Sequence, residues 1–461
     1  MRLFETLIIL LDLPLLAFAL ANHAWPVWMI VLAVLPVLMV LVHSFAERYR
    51  WQMVPAYIGS VLVAVFGLVS YVQHTPIRIG IVVAATVLLF VSSVLATILP
   101  VFSLPEPGGP HAIGTITQQW TARGELGRTD QSLPRKLNIQ FWYPTETKRG
   151  RRSRYRTADA QGLKAHLRLA RTHSIVNAPV SRAQRQFPVV LFSPGWKGHL
   201  TQNTIQFEML ASYGFIVLSM EHSPAENLPL YFDPSREENL RGYAVEIKRR
   251  AHDVLFVLDQ LEKLNRQDPD ARFTSLLDLS RIGMFGYSFG GALSAEACWL
   301  DPRIKAGINM DGLMFGEVTK TGVRQPFFFM SDDSGGPSEC DLQSPDPRRQ
   351  LHARALEADC KLIDRSLAQY GGYYLRIRGA AHSNYSDRPL YSPLKRLTDA
   401  GSIDVQTCIQ IINAYIQAFF ELHLNGKPQE LLNGKHSDYP EALFRCHPVP
   451  IAENPTLATI A

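Results

Sequence analysis

The first 102 residues of this chain are almost without charge, because only seven acidic or basic side chains occur there. Paired cysteines are also lacking: the five cysteines show no C-x-x-C spacing, which excludes the common zinc-ligand patterns and a disulfide framework. We interpret them as buried thiols, with a pairing of Cys340 and Cys360 as the alternative.

The net charge of +5 is too small to indicate a nucleic-acid-binding protein. No internal repeat is visible, and the uneven composition predicts more than one domain.

Long apolar runs take the place of charge in this N-terminal region. Three of them are about 20 residues long and can cross ~30 Å of hydrocarbon as helices: Trp25–His43, Met53–Tyr71 and Ile79–Leu99. A fourth run, Leu3–Leu20, is interrupted by Asp12 and Pro14, so that spanning, interfacial and signal-like interpretations stay open. We predict four membrane helices within residues 1–102, with three as the alternative.

Arginines in the connections between these runs indicate an orientation. Arg48 and Arg50 lie between the second and third runs, whereas Arg78 alone lies in the next connection. The positive-inside rule places the loop with two arginines in the cytoplasm. Because two further spans follow that loop, we predict a multi-pass protein of the cell membrane whose C-terminal domain faces the cytoplasm.

Residues 103–113 are rich in proline and glycine and predict a stiff extended linker. Residues 114–461 then alternate short apolar runs with helical patterns, which predicts an α/β domain with a mostly parallel sheet. Leu137–Tyr143 alternates with period two and stops at Pro144, as expected of an edge strand. Tyr243–Leu264 and Ile403–Leu422 have helical spacing, and the second is expected to close the fold.

Two charged segments of this domain have competing interpretations. Lys148–Arg156 is a dense basic run that could hold the domain against anionic lipid headgroups, although a solvated loop is the favoured interpretation. Glu226–Arg241 is rich in proline, asparagine and charge, and is interpreted either as a flap over a site or as an ordinary surface loop.

Gly286–Gly291 fits the G-x-S-x-G pattern of a nucleophile elbow and places Ser288 at its centre. A short apolar run, Arg281–Phe285, precedes it, and small residues with helix formers follow it. This strand-turn-helix order predicts a serine lifted clear of a sheet, with flanking glycines that avoid crowding. The alternative is a glycine-rich turn in which the serine only caps a helix.

Acyl transfer by a serine needs a base, an acid that orients the base, and donors for the oxyanion. His382 follows the last predicted strand, where this fold places the base. From spacing alone the acid is Asp332 or Asp333 after one strand, or Asp311 after the preceding strand. The backbone N–H groups of Phe289 and Trp196 are the predicted oxyanion donors; Trp196 lies in the glycine-containing turn Ser193–Gly198.

These segments resemble the platelet-activating factor acetylhydrolase family, α/β-hydrolases that remove short or oxidised acyl chains from the sn-2 position of phospholipids. The resemblance covers most of Pro188 to Asn384. It is carried by four segments: Val189–Gly198 with Gly214–Val217, Gly286–Gly291, Met310–Phe315 and Ile377–Asn384.

The resemblance implies Asp311 as the acid, Ser288 as the nucleophile and His382 as the base, with Trp196 and Phe289 as donors. The chain departs from the family at Pro194 and Tyr287, where the family usually has histidine, and in its N-terminal helices.

Together these observations predict a membrane-anchored serine esterase that acts on ester or phospholipid substrates, contacts membrane lipids and requires no metal or organic cofactor. A general carboxylesterase or polyester hydrolase is the alternative enzyme. A membrane sensor or transport component with an inert hydrolase-like domain is the alternative outside enzymes.

Overall fold

The computed structural model describes residues 1–122, 135–156, 160–223, 229, 232–434 and 438–449. These residues form two compact units. Residues 1–104, 154–172 and 390–398 make up a helical unit, and the other described residues make up a sheet-containing unit.

All four predicted apolar helices are present in the helical unit: α1 (Leu3–Leu20), α2 (Val27–His43), α3 (Val54–Gln73) and α4 (Ile79–Ile98). Each is long and apolar enough to cross a membrane. Pro14 does not break α1. Asp12, for which the sequence suggested no partner, accepts a hydrogen bond from the hydroxyl of Ser60 on α3. One oxygen of this buried carboxylate is thereby paired inside the bundle, whereas the other, Oδ1, has no hydrogen-bond partner among the described residues.

The sheet-containing unit is built on an eleven-stranded sheet in the order β11-β10-β9-β8-β7-β5-β6-β2-β1-β4-β3. Its strands, in chain order, are β1 (Ala112–Ala122), β2 (Arg135–Thr145), β3 (Arg152–Arg154), β4 (Arg171–Val176), β5 (Phe187–Ser193), β6 (Ile216–Glu221), β7 (Leu277–Tyr287), β8 (Ile304–Met310), β9 (Phe327–Ser331), β10 (Gly372–Ile377) and β11 (Ala442–His447). The six strands from β6 to β10 in the spatial order are mutually parallel, as predicted, whereas β2 and β11 run antiparallel to their neighbours β6 and β10.

Two sequence predictions about this sheet are wrong. Leu137–Tyr143 belongs to β2, which is an interior strand paired with β1 on one side and β6 on the other. Pro144 is tolerated because it lies near the end of that strand. The helix expected to close the fold is followed by β11, which covers the outer edge of β10.

The helices of this unit, with the short α11 of the helical unit, are α5 (Thr204–Ser212), α6 (Glu237–Arg266), α7 (Phe289–Leu300), α8 (Val318–Thr321), α9 (Glu339–Leu342), α10 (Pro347–Tyr370), α11 (Lys395–Thr398) and α12 (Val405–Asn425). Alternate residues along β5 point to two separate hydrophobic clusters, one on each face of the sheet. Helices α6, α7 and α10 cover one face, and α5 and α12 cover the other. A parallel sheet covered on both faces is the arrangement predicted from the sequence.

The cysteine prediction is only partly correct. Cys298 and Cys408 are buried, but Cys340 and Cys446 are exposed and Cys360 is half-buried. All five, which lie within the described residues, are free thiols, so Cys340 and Cys360 are not paired.

The two charged segments differ in how far the structure describes them. The arginines of Lys148–Arg156 are largely exposed, while Tyr155 in the same run is fully buried. In the segment Glu226–Arg241, residues 226–228 and 230–231 lie outside the described residues, and Glu237–Arg241 forms the start of α6.

Candidate active site

Ser288 lies in the turn between β7 and α7, with φ of 56° and ψ of −124°. This backbone conformation is strained for a residue with a Cβ and is characteristic of a nucleophile elbow. The turn is tight: a Cβ on Gly286 would lie 2.0 Å from the carbonyl oxygen of Gly290, and a Cβ on Gly290 would lie 2.0 Å from that of Ser193. Both glycines are therefore required by space, and the serine is held at the carboxyl end of the sheet.

His382 lies in the loop after β10. It reaches Ser288, which follows β7, although β8 and β9 lie between these two strands in the sheet. Its Nε2 is 3.0 Å from the Oγ of Ser288, and its Nδ1 is 2.6 Å from the Oδ2 of Asp311. Half of the His382 side-chain surface is exposed. The three predicted residues thus form one hydrogen-bonded chain with an accessible base.

The structure distinguishes among the three candidate acids. Asp311 contacts His382, whereas the backbone N–H of Asp332 donates to the other oxygen of Asp311 at 2.9 Å. Asp333 accepts a hydrogen bond from the N–H of Gly379 at 2.8 Å and so fastens the loop that carries the histidine. Of the three, only Asp311 is hydrogen-bonded to His382.

Local backbone contacts explain why Asp311 is placed there. It has φ of 58°, so the chain turns sharply as it leaves β8. The side chain of Asn309 closes this turn by accepting from the N–H of Gly312 at 2.8 Å and donating to its carbonyl at 2.7 Å. The N–H of Ser288 donates to the carbonyl of Met310 at 2.8 Å, which ties the serine to the acid segment.

The charges around His382 favour its protonated form. Partial removal from water lowers the pKa of the imidazole, but the hydrogen bond and negative charge of Asp311 outweigh this effect, and the pKa is raised. Burial and the neighbouring Asp311 charge raise the pKa of Asp332. The ring of Tyr287 packs on the His382 ring at 4.9 Å between centroids, which limits movement of the base.

The two predicted oxyanion donors lie beside the serine. A Cβ on Gly195 would lie 3.2 Å from the Cβ of Ser288, so the turn containing Trp196 passes directly over the nucleophile. Within the described part of the chain, the backbone N–H groups of Trp196 and Phe289 have no protein acceptor. The Trp196 and Phe289 rings pack edge to face at 5.1 Å. Two donors are thereby left available near Ser288 Oγ.

Sequence reasoning missed a buried arginine beneath both donor residues. The guanidinium carbon of Arg250, on α6, lies 5.3 Å from the ring centroid of Trp196 and 4.9 Å from that of Phe289. Arg250 is 4% exposed, and its charge is balanced by Glu246 at 2.7 Å. Cation–π contacts of this kind hold aromatic side chains in place. The available signal in the sequence was that Arg250 falls on the apolar face of the helix predicted over Tyr243–Leu264.

A second Ser–His–Asp chain lies in the interior of the same unit. The Nε2 of His222 is 3.0 Å from Ser193 Oγ, and its Nδ1 is 3.0 Å from Asp253 Oδ2. Ser193 is fully buried at the end of β5, where the turn that contains Trp196 begins. Burial lowers the pKa of His222 and keeps it neutral. These two contacts hold the end of β5, from which the turn that contains Trp196 starts.

The segment interpreted as a flap or an ordinary surface loop contacts Trp196 at its described residues. The indole N–H of Trp196 donates to the carbonyl of Pro229 at 3.1 Å, and the Phe232 ring lies 6.4 Å from the Trp196 ring. Part of the segment Glu226–Arg241 therefore touches the donor turn, which places it next to the site.

Among the described residues, one acidic and histidine cluster has the spacing of metal ligands: Glu5, His43 and Glu47 in the helical unit. Arg2 and Arg50 bind the carboxylate of Glu5 at 2.7 and 2.5 Å. These carboxylates are already neutralised by arginines, so we assign the cluster to an ion-pair network.

The chain is similar to known proteins. The family model "Platelet-activating factor acetylhydrolase, isoform II" matches residues 139–430. A probable 1-alkyl-2-acetylglycerophosphocholine esterase from Arthroderma benhamiae is 26% identical over 408 residues, which cover 77% of this chain and 97% of the relative. A platelet-activating factor acetylhydrolase from Cavia porcellus is 23% identical over 279 residues, 54% of this chain and 60% of that enzyme.

A solved structure shares the fold. The ferulic acid esterase from Streptomyces cinnamoneus has a TM-score of 0.57 and 24% identity, and the match covers 75% of this chain and 99% of that chain. At this identity the likeness establishes the α/β-hydrolase fold alone.

Proposed function

The chain belongs to the platelet-activating factor acetylhydrolase, isoform II family, and from this premise we propose that it is a membrane-anchored serine esterase that removes short acyl chains from the sn-2 position of phospholipids. That it is a carboxylic ester hydrolase follows from the family itself. The observation that carries the finer proposal is the hydrogen-bonded chain from Ser288 through His382 to Asp311 on a strained elbow.

In the proposed mechanism, Ser288 Oγ attacks the ester carbonyl carbon while His382 Nε2 takes the hydroxyl proton. Asp311 stabilises the imidazolium and holds the tautomer in which Nε2 accepts. The N–H groups of Phe289 and Trp196 receive the oxyanion; removal of one such donor typically costs ~10²–10³ in kcat.

The tetrahedral intermediate then collapses, and His382 gives its proton to the departing alkoxide, so that an alcohol leaves and an acyl-Ser288 ester remains. Water attacks this ester with His382 again as base. The carboxylic acid departs, and the proton returns to Ser288 Oγ.

The substrate class is supported by the names of the relatives. The Arthroderma benhamiae protein is described as acting on 1-alkyl-2-acetylglycerophosphocholine, and this chain spans almost all of its length. Membrane anchoring would favour such an amphiphile, because a substrate partitioned into the bilayer is concentrated near a tethered enzyme.

Anchoring is supported by four helices whose mean hydropathy lies between 2.0 and 2.6. In each of them, no more than 39% of the most apolar 18-residue stretch is buried within the protein. We propose that Arg48 and Arg50 keep the connection of α2 and α3 in the cytoplasm. The catalytic unit then also faces the cytoplasm. Protease treatment of sealed right-side-out vesicles tests this: the domain should be resistant until the vesicles are opened, and cleavage from outside would reverse the orientation.

The substrate is tested by hydrolysis of phosphatidylcholines that differ only in an sn-2 acetyl or palmitoyl chain, with detergent-solubilised protein. Ser288→Ala is the blank. We expect rapid acetyl release and little palmitoyl release. Turnover of simple soluble esters without either phospholipid would make this a general carboxylesterase, whereas failure of a fluorophosphonate to label Ser288 would refute the catalytic role.

A further inference from the structure

An open cavity of about 700 Å³ lies within the helical unit, where α2 ends and α3 begins. A volume between 300 and 1,000 Å³ is typical of sites that bind small molecules. The lining combines arginines, aromatic rings and aliphatic groups from two segments of the chain: Arg48, Tyr49, Arg50, Trp51, Arg154, Gly162, Leu163, Ala165, His166, Arg168 and Leu169. This composition matches a ligand with both an anionic and an apolar part.

Two buried polar atoms in this lining are unsatisfied. The indole nitrogen of Trp51 and the Nε2 of His166 are buried and have no hydrogen-bond partner among the described residues. His166 is 4% exposed, and its Nδ1 lies 3.0 Å from the carbonyl of Leu163, which assigns the proton of the neutral ring to Nδ1. Buried groups without partners are costly. An acceptor oxygen of an occupant would satisfy the indole donor, whereas the free imidazole nitrogen is an acceptor in this tautomer and would need a hydroxyl group of the occupant.

The charge of the lining is uniformly positive. Four guanidinium groups border the cavity, and the described lining includes no acidic side chain. Arg50 is turned toward the carboxylate of Glu5 and the carbonyl of Leu99. Arg48 and Arg168 are exposed, and within the described parts of the chain neither pairs with a carboxylate. These two arginines are the groups available to an added anion.

The apolar part of the lining lies beside these charges. Leu163 is 72% exposed and Tyr49 is 56% exposed, although both are large hydrophobic side chains. They adjoin the end of α2, at the boundary between an apolar helix and a charged connection. Aromatic and basic residues at this level are typical of the membrane interface, where a lipid offers a phosphate and an acyl chain together.

We infer that this cavity binds the phosphate of an anionic phospholipid headgroup, with Arg48 and Arg168 as its ion-pair partners and Trp51 as a hydrogen-bond donor. The inference rests on the proposed membrane anchoring but not on the esterase reaction. The shared chemistry of any occupant is a phosphate group, which a lipid or free inorganic phosphate could supply. Leu163 and Tyr49 favour the lipid.

The test uses native mass spectrometry of the full chain in detergent, with phosphatidylglycerol and phosphatidylcholine of identical acyl chains. Phosphatidylglycerol should be retained preferentially. Arg48→Gln combined with Arg168→Gln should weaken its retention about 10- to 30-fold, because each basic group near an anionic headgroup contributes a factor of about three to five. Arg324→Gln with Arg354→Gln, which removes two exposed arginines of the other unit, is the matched control and should retain the lipid as wild type does.

Ala165→Phe separates a specific cavity from general surface attraction, because it fills the cavity and leaves every charge in place. It should weaken phosphatidylglycerol retention as strongly as the double arginine variant. Unchanged retention in Ala165→Phe, or equal retention of the two lipids by wild type, would overturn the site. The thermal midpoint of each variant verifies folding, and labelling of Ser288 by a fluorophosphonate reports the esterase separately.

Inorganic phosphate alone is the second arm. We expect millimolar phosphate neither to raise the thermal midpoint as phosphatidylglycerol does nor to displace the bound lipid. If phosphate does both, and the arginine double variant abolishes both effects, the phosphate chemistry stands and the assignment to a lipid headgroup is wrong.

Discussion

Asp311→Asn should reduce the turnover of ester substrates by ~10⁴, because the carboxylate fixes the tautomer of His382. In the structure, Oδ2 of Asp311 lies 2.6 Å from His382 Nδ1, and Oδ1 accepts the N–H of Asp332 at 2.9 Å. Asparagine can preserve the second bond only by keeping its carbonyl oxygen toward Asp332. Its NH₂ group then faces Nδ1, which must become an acceptor, so Nε2 carries the proton and can no longer take one from Ser288.

The corresponding increase in the activation barrier is about 5.4 kcal/mol, at 1.36 kcal/mol for each factor of ten. The assay is the steady-state rate on an sn-2 acetyl phosphatidylcholine, together with the rate of fluorophosphonate labelling of Ser288. Labelling requires the same base and should slow in parallel. Binding of substrate should change little, because Asp311 lies behind the imidazole.

Asp332→Asn is the matched control, since it removes the neighbouring carboxylate and leaves the Asp311–His382 bond intact. The bond from Asp332 to Asp311 comes from the backbone and survives the substitution. We expect less than a tenfold loss, arising from the weaker negative field at His382. A larger loss in Asp332→Asn than in Asp311→Asn would refute the assignment of the acid.

Three further predictions concern the supports of the site. Arg250→Met should lower kcat about 10- to 100-fold with little change in KM, because the cation holds the Trp196 ring. Arg250→Lys keeps a cation and should restore part of kcat. An equal loss of kcat in both variants would contradict this role of the charge. Gly290→Ala should lower the thermal midpoint by about 10 °C, since its Cβ would meet the Ser193 carbonyl at 2.0 Å; an unchanged midpoint would show that the elbow relaxes. The raised pKa of His382 means that kcat/KM should fall as pH drops through a value above the usual ~6.5, and a pH–rate profile with its acid limb below that value would refute it.

The proximity of Ser288 and His382 could be predicted from the sequence. The spacing of glycines around Ser288 follows from hard contacts across a single turn, and those contacts appear in the sequence as a motif. His382 follows the last parallel strand, and the carboxyl ends of parallel strands meet at one edge of the sheet. Order along the chain therefore predicted proximity in space.

The acid could not be chosen from spacing because three aspartates follow two adjacent strands. The ends of β8 and β9 are neighbours, so Asp311, Asp332 and Asp333 all reach the same edge. What separates them is the left-handed backbone at Asp311 and the clamp formed by Asn309. Neither has a spacing signal, and only the family resemblance pointed to Asp311, the aspartate that the structure places against His382.

A partner strand distant in sequence accounts for the error at β2. The alternation of Leu137–Tyr143 correctly predicted a strand, but whether a strand lies at an edge depends on which segments pair with it. One partner, β1, is the preceding strand of the chain, whereas the other, β6, follows only after three further strands and helix α5. Arg250 was missed for a related reason: a charge on a helix predicts exposure unless the aromatic rings that cover it are known.

The two Ser–His–Asp chains differ in the properties on which we base the proposal that Ser288 is the catalytic serine. Both have a histidine 3.0 Å from a serine oxygen and an aspartate on the other ring nitrogen. Ser193, however, is fully buried in an extended strand, and burial keeps its histidine neutral. Ser288 sits on a strained turn beside two available N–H groups, and its histidine is half exposed with a raised pKa. Residue identity and distance do not distinguish the two chains. Backbone strain, exposure of the histidine and the available N–H groups do, and on these grounds we propose that the Ser288 chain is the one that reacts.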